Sequence, residues 1–216
     1  MPQDPKTTVK EAYDEIAEWY LAWAQNHQTP RERYTRKMLS EAGDSPYILE
    51  LGCGAGVPVT RMLLDSGSRV VANDISDVQL KMAKTRCPEA TFIAGDMTEL
   101  SFEEKSFDGV VSFFTIFHLP RSEQEDMLRR IYGWLKPGVL FVFNLATLDE
   151  EEIHGEFLGH GMFWSSYGVE ENEAMIRRVG YEILELEVLE AGDGKLDETD
   201  PDYGVKFVWI AARKPV

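Results

Sequence analysis

Basic residues are scarce in this chain. Against 38 Asp and Glu stand 22 Lys and Arg, a formal net charge of −16 over 216 residues. Nucleic-acid binders need basic surface to displace counterions from phosphates, so neither DNA nor RNA is an expected partner. Short basic pieces such as Arg31-Glu32-Arg33 and Arg129-Arg130 are expected on solvated helix faces. Cysteine is scarcer still. Cys53 and Cys87 lack metal-ligand spacing, so no metal is expected and the default setting is a reducing cytoplasm. No apolar run approaches a membrane span, and the opening MPQDPKTTVK lacks the apolar stretch of a secretory signal. With 44% apolar and 28% charged residues, the length fits one generous domain. Its expected partner is small, and neutral or cationic.

The most specific segment is Tyr47 to Gly56, YILELGCGAG, an apolar run ending in Gly52, Gly54 and Gly56. A strand running into glycines brings bare backbone close to a nucleotide in a parallel α/β sheet. A dinucleotide fingerprint needs G-x-G-x-x-G, but Val57 stands at the sixth position from Gly52. The alternation after Glu50 gives E-x-G-x-G-x-G instead. Such an open turn suits a nucleoside with an amino-acid tail better than a pyrophosphate.

Around that turn, strands and helices alternate. Val9, Tyr13, Ile16, Tyr20 and Trp23 form one helical stripe, and Thr29-Pro30-Arg31-Glu32 is a capping box opening a helix over 30–42. Strands are expected at 47–51, 69–73, 90–94, 109–114, 139–144, 181–189 and 205–212, with helices at 57–66, from Ser76 to before Pro88, from a Ser122/Glu125 cap, and at 169–179. A surface loop or hairpin connection is expected over 191–203. The pattern predicts a parallel sheet covered on both faces, its last two strands antiparallel. Ligands bind such sheets at the carboxyl ends of the strands.

Four features converge there: the glycine turn, Asp74 placed 20 residues beyond Gly54, then Gly95-Asp96-Met97, and the apolar Ser112-Phe113-Phe114-Thr115-Ile116-Phe117-His118. The chain resembles the class I S-adenosylmethionine (SAM)-dependent methyltransferases, in particular their small-molecule branch. LELGCGAG at 49–56, VVANDIS at 70–76, FIAGDM at 92–97, FDGVVSFFTIFHL at 107–119 and WLKPG at 134–138 carry the resemblance. YDEIAEWY at 13–20 is similar to that branch's N-terminal lid helix.

The resemblance implies an α/β, Rossmann-like sheet of seven strands in the order 3-2-1-4-5-7-6, strand seven antiparallel, with helices on both faces. A helical lid over 1–44, a SAM-binding core over 45–146, a substrate cap over 147–168 and a C-terminal helix with strands six and seven over 169–216 would form one domain. Asp74 would hold the ribose, Asp96 the adenine amine with Met97 against the ring, and Gly52, Gly54 and Gly56 the methionine end. Tyr13, Tyr20, Glu50, Ile75, Ser112 and Phe113 complete the expected cofactor set. Two departures stand out: Val139 replaces a family glycine, and Phe113 replaces a small or polar residue, which leaves amine contacts there to backbone.

Methyl transfer from a sulfonium is an in-line displacement that depends mostly on alignment and exclusion of water. A phenol or alcohol acceptor would benefit from a base, for which His118 is the first candidate and His160 the second. His118 can equally serve to tie its strand to the next helix. The acceptor wall is expected from Trp23 and Phe117 together with Met162, Phe163, Trp164 and Tyr167, some of which packing alone would explain. No N-P-P-Y or D-P-P-Y string follows strand four, which disfavours nitrogen methylation in nucleic acid or protein. The expected activity is methylation of an O, N, S or C atom of a small hydrophobic or aromatic metabolite. The rival is a SAM-binding protein of the same fold that transfers no methyl.

Overall fold

The computed structural model describes residues 4–192 and 195–216. Seven strands share one sheet: β1 (Tyr47–Leu51), β2 (Arg69–Asp74), β3 (Thr91–Ala94), β4 (Gly109–Ser112), β5 (Leu140–Ala146), β8 (Glu182–Glu190) and β9 (Lys206–Arg213). A separate hairpin pairs β6 (Glu150–Phe157) with β7 (His160–Ser166). The large sheet runs β3-β2-β1-β4-β5-β9-β8, and β9 is antiparallel to both neighbours. Setting the hairpin aside, this is the expected order 3-2-1-4-5-7-6. Of the expected loop over 191–203, residues 193 and 194 lie outside the described residues, as do 1–3 of the N-terminal segment.

The strands are apolar on both sides because both sheet faces are covered. Leu49, Leu51, Val71, Val110, Phe141, Phe143, Val208 and Ile210 belong to one core with α6 (Arg121–Trp134) and α7 (Val169–Val179). Their alternates Ile48, Val70, Ala72, Val111, Val142 and Trp209 belong to the other. There they meet α3 (Pro30–Glu41), α4 (Val59–Asp65) and α5 (Asp77–Arg86). The period of two along each strand thus separates the two cores.

The N-terminal stripe is not one helix. α1 (Pro5–Glu15) and α2 (Ala17–Asn26) are separated at Ile16, whose N–H still bonds the Ala12 carbonyl. The two halves serve different cores: Val9 and Ala12 pack on Met162 and Phe163, whereas Trp23 joins the core beneath α3. Thr29 N–H donates to Glu32 Oε2 at 3.1 Å, the return half of the expected capping box. The Ser122/Glu125 cap does not form. α6 starts two residues earlier, with Pro120 at the N-cap; Arg121 N–H donates to Ser165 Oγ, and Glu125 instead pairs with Arg129 and Arg178.

The segment over 147–168, expected as an irregular cap, is largely the β6–β7 hairpin. Its buried apolar side chains, Met162 and Phe163, pack against α1. Among the described residues, no helix is long and apolar enough to cross a membrane.

Candidate functional site

The carboxyl ends of β1 to β4 surround a cavity of about 650 Å³, counted to its open mouth. The glycine turn forms its floor. Gly52 and Cys53 N–H both donate to the Asn73 carbonyl, at 2.8 and 2.9 Å, tying the turn to the tip of β2. Gly52 has φ +75°, and a Cβ there would stand 2.0 Å from Thr115 Oγ1. Only glycine fits both constraints. Gly54, at φ +54°, has open space where a side chain would point, with Gln79 Oε1 nearest at 3.8 Å. Gly56 approaches Ala83 of α5 and Cys87 just past its end, and does not line the cavity.

Asp74 closes the turn from the side. Its Oδ2 accepts from Gly54 N–H at 2.7 Å and its Oδ1 from Ser76 N–H at 2.9 Å. Each oxygen keeps a second lone pair for a hydroxyl. Burial raises its pKa to about 6, against the pull of these two N–H groups. Ile75 and Met97 line the same end.

Asp96 is already engaged. It accepts from Thr98 N–H and Oγ1 at 2.8 and 2.7 Å, and Lys6 Nζ lies 2.7 Å from its Oδ2. Burial would raise this carboxyl; Lys6 and Thr98 outweigh it and hold the group below its ordinary range. Lys6 also pairs with Glu123 at 2.6 Å, so α1 is clasped to the rim of the cavity.

Tyr13 and Tyr20 line the cavity edge-to-face, their ring centroids 5.6 Å apart. Tyr13 Oη lies 3.1 Å from His118 Nε2, and His118 Nδ1 lies 2.8 Å from the Phe163 carbonyl. A carbonyl can only accept, so Nδ1 carries the proton and the Tyr13 phenol donates to Nε2. Burial lowers His118 to about 4, keeping the imidazole neutral. Burial also pushes the Tyr13 phenol well above its usual value.

Glu50 is buried one step away, beneath the turn, in an adjoining cavity that shares Tyr20, Gly52, Gly54 and Phe113 with the main one. Its Oε2 accepts from Thr60 Oγ1 at 2.6 Å, and burial raises its pKa to about 8.

Several residues expected at the site lie elsewhere. His160 sits where the β6–β7 hairpin turns and lines no part of the cavity. Ser112 is buried behind the cavity wall, its hydroxyl without a partner among the described residues. Phe117 stacks on Phe207 in the core, and Trp23 donates its indole N–H to Asp200 at 2.6 Å. Met162 and Phe163 pack under α1, Trp164 is tilted against His118 at 6.3 Å, and Tyr167 receives the Arg121 guanidinium at 5.0 Å. None of these six aromatic or apolar side chains lines the cavity, because each is taken up by packing. Phe113 and its neighbour Phe114 do line it.

Sequence reasoning gave no site role to Lys6, Asn73 or Gln79, and named Phe114 and Thr115 only within the converging apolar segment; all five are at the cavity. It also missed Arg31, which is 4% exposed and not on a solvated face. The Thr115 requirement could have been suspected from the glycine it abuts; the others had no local signal.

A glycine turn with two flanking carboxylates at the switch of a 3-2-1-4-5 sheet defines a nucleoside-binding α/β domain. Residues 48–138 match the family described as a methyltransferase domain. Sterol 24-C-methyltransferase of Pneumocystis carinii is 29% identical over 165 residues, covering 69% of this chain and 43% of that protein. 24-Methylenesterol C-methyltransferase 2 of Oryza sativa subsp. japonica is 28% identical over 162 residues, covering 68% and 44%. The chain therefore spans less than half the length of these curated relatives.

Among solved structures, Burkholderia thailandensis 1,6-didemethyltoxoflavin-N1-methyltransferase, with 1,6-didemethyltoxoflavin and S-adenosylhomocysteine bound, superposes with a TM-score of 0.74. Its identity is 17%, covering 100% of this chain and 92% of that one. The [4+2]-cyclase SpnF superposes with a TM-score of 0.74 at 18% identity, covering 100% and 99%. The chain is thus similar to methyltransferases in its fold and, over residues 48–138, in its sequence.

The residues present would fit an adenosyl nucleoside with an amino-acid tail. Gly54 leaves bare backbone facing the cavity, Asp74 has lone pairs to spare, and the buried Gln79 amide has neither atom partnered among the described residues. Asp96 fits less simply, since Lys6 already occupies one of its oxygens.

Proposed function

We propose that this chain moves the methyl group of SAM to an O, N, S or C nucleophile of a small, hydrophobic or aromatic metabolite. The observation that carries the proposal is the pairing of an aromatic wall with a polar floor. Tyr13, Tyr20, Phe113 and Phe114 face the same space as the glycine turn and Asp74. Bound SAM supplies an electrophilic methyl, so the protein has to align the acceptor and keep water out. Helices α1 and α2 would do the second as a lid, clasped by Lys6 on Asp96 and seated on the β6–β7 hairpin.

The acceptor would lie between Tyr13 and the methyl. His118 holds the Tyr13 phenol through its one free lone pair, and proton uptake at Nε2 requires that phenol to swing away. Adenosine would run from the turn towards Asp74, Ile75 and Met97. The sterol relatives support an apolar acceptor, and the net charge of −16 disfavours nucleic acid.

Incubating the protein with SAM and a panel of apolar and aromatic metabolites, and measuring S-adenosylhomocysteine release by mass spectrometry, tests the proposal. Acceptor-dependent release is expected. The cyclase with the same fold keeps the rival open: a protein that binds SAM and uses it without transferring methyl. Tight SAM binding with acceptor conversion but no homocysteine product would favour that rival.

A further inference from the structure

A chain of two hydrogen bonds crosses the aromatic end of the cavity and joins three separate elements. It starts at the main chain of β7, where the Phe163 carbonyl lies 2.8 Å from His118 Nδ1. It ends on α1, where Tyr13 Oη lies 3.1 Å from His118 Nε2. Its direction is set from the carbonyl end. A carbonyl only accepts, so His118 donates from Nδ1, presents a lone pair at Nε2, and draws the Tyr13 proton onto it. His118 is buried, which keeps the ring neutral and that order in place.

With its proton committed, the Tyr13 oxygen has only lone pairs left for whatever enters. Among the described residues it makes no other hydrogen bond. Tyr13 and His118 both line the cavity, so that oxygen stands at its wall. Neighbouring groups repeat the pattern. Thr115 donates its hydroxyl to the Phe113 carbonyl at 2.8 Å, and Asn73 donates its amide to the Ile93 and Gly95 carbonyls at 3.1 and 2.9 Å. Lys6 is spent on Asp96, Thr98 and Glu123. Phe113, Phe114 and Leu119 bring no polar side-chain atom. The unpartnered Gln79 amide stands beside Gly54 at the turn, and the Tyr20 phenol lies against Arg31 where the adjoining cavity begins. Asp74 and Asp202 act on both tyrosines, so the local field also favours a donor over a lone pair.

We propose that Tyr13 reads the acceptor substrate: its oxygen takes a hydrogen bond from an O–H or N–H group of the metabolite, and the site rejects molecules that offer only lone pairs. This rests on the acceptor occupying the cavity as proposed above, and it narrows that reading to hydroxyl- or amine-bearing metabolites. The selectivity comes from β7, since the Phe163 carbonyl decides which His118 nitrogen is bare. A buried phenol oxygen facing a second lone pair stays unpaired, and that penalty is the basis of the discrimination.

Two bicycles of similar size test it on the full chain saturated with S-adenosylhomocysteine, at a pH where both are neutral. Indole has an N–H donor and no free lone pair, whereas quinoline has a nitrogen lone pair and no donor. Calorimetry should show wild-type protein preferring indole by about tenfold. His118→Phe frees the Tyr13 proton, so the phenol can donate; quinoline should gain affinity and the preference shrink to about twofold. Wild-type protein that binds quinoline as tightly as indole overturns the inference without any variant. So does a His118→Phe protein that keeps the full preference. Nitrogen NMR of the wild-type histidines should show His118 protonated at Nδ1, and protonation at Nε2 would reverse the chain and overturn the inference as well. Loaded wild-type protein that binds neither bicycle overturns the aromatic-acceptor reading itself, and failure to bind S-adenosylhomocysteine overturns the placement of the cofactor.

Discussion

Replacing Asp74 by Asn keeps the side chain's shape and removes its charge, so it tests what the carboxylate does for the cofactor. In the structure each oxygen accepts one backbone N–H, from Gly54 and from Ser76. The remaining lone pairs are the ones available to ribose hydroxyls. The amide introduced by Asp74→Asn would retain one acceptor oxygen and turn an NH2 towards a backbone N–H. Losing a charged acceptor costs about 1.5–3 kcal/mol, or roughly ten- to 150-fold in Kd for SAM.

The pH dependence makes the test sharper. Burial holds Asp74 at about 6, and hydroxyl donors favour its ionised form, so SAM should bind the deprotonated protein. Between pH 7 and pH 5 the ionised fraction falls about tenfold, and the association constant should fall with it. Glu50, at about 8, stays protonated across that window. Asp202 is also raised to about 6 by burial, so the comparison between the two proteins carries the test, not the wild-type curve alone. Titration calorimetry at pH 5, 6 and 7 should give a steep wild-type curve and a flatter one for Asp74→Asn. Equal slopes, or unchanged affinity at pH 7, would refute the assignment of Asp74 to the ribose.

Three further outcomes are expected. His118 titrates at about 4 in the folded protein and near 6.5 when unfolded, so its contribution is complete above pH 6.5 and is lost as pH falls towards 4. Urea melts should show a loss of about 2.5 kcal/mol between pH 7 and 4.5 that is absent in His118→Asn; an identical loss in both proteins would assign it to other groups. Gly52→Ala should lower Tm and abolish SAM binding, because its Cβ would meet Thr115 Oγ1 at 2.0 Å. Adding Thr115→Ala should restore part of the Tm, leaving a backbone penalty of about 1–2 kcal/mol at φ +75°; full restoration would show that the clash was the whole effect. Lys6→Gln should speed amide hydrogen exchange across α1 without slowing it in β1, since the Asp96 and Glu123 pairs are lost; unchanged exchange would mean that Val9 and Ala12 hold the helix by packing alone.

What could be read in the chain before folding was whatever its neighbours in sequence decide. The strand-to-glycine passage at Leu51-Gly52 is local, as is the Ser76 cap, whose hydroxyl accepts from Gln79 N–H at 3.1 Å. The sheet order followed because apolar strands separated by helices have few right-handed ways to cross over. The β6–β7 hairpin escaped because EEEIHGEF is largely exposed, and no alternation marks it as a strand. The aromatic residues of β7 read as a substrate wall because their actual partner, α1, lies some 150 residues away in the chain. Charge misled in the same way. A net −16 says nothing about two cations that line adjoining cavities singly. Lys6 clasps Asp96 across 90 residues, and Arg31 is buried between Trp23 and Phe114, which reaches it from beyond β4. Arg31 beside Arg33 at a helix start is indistinguishable from a solvated pair until those rings cover it. The polar groups that line a cavity are the ones most dependent on tertiary partners, so the composition of an acidic chain does not reveal its buried cations.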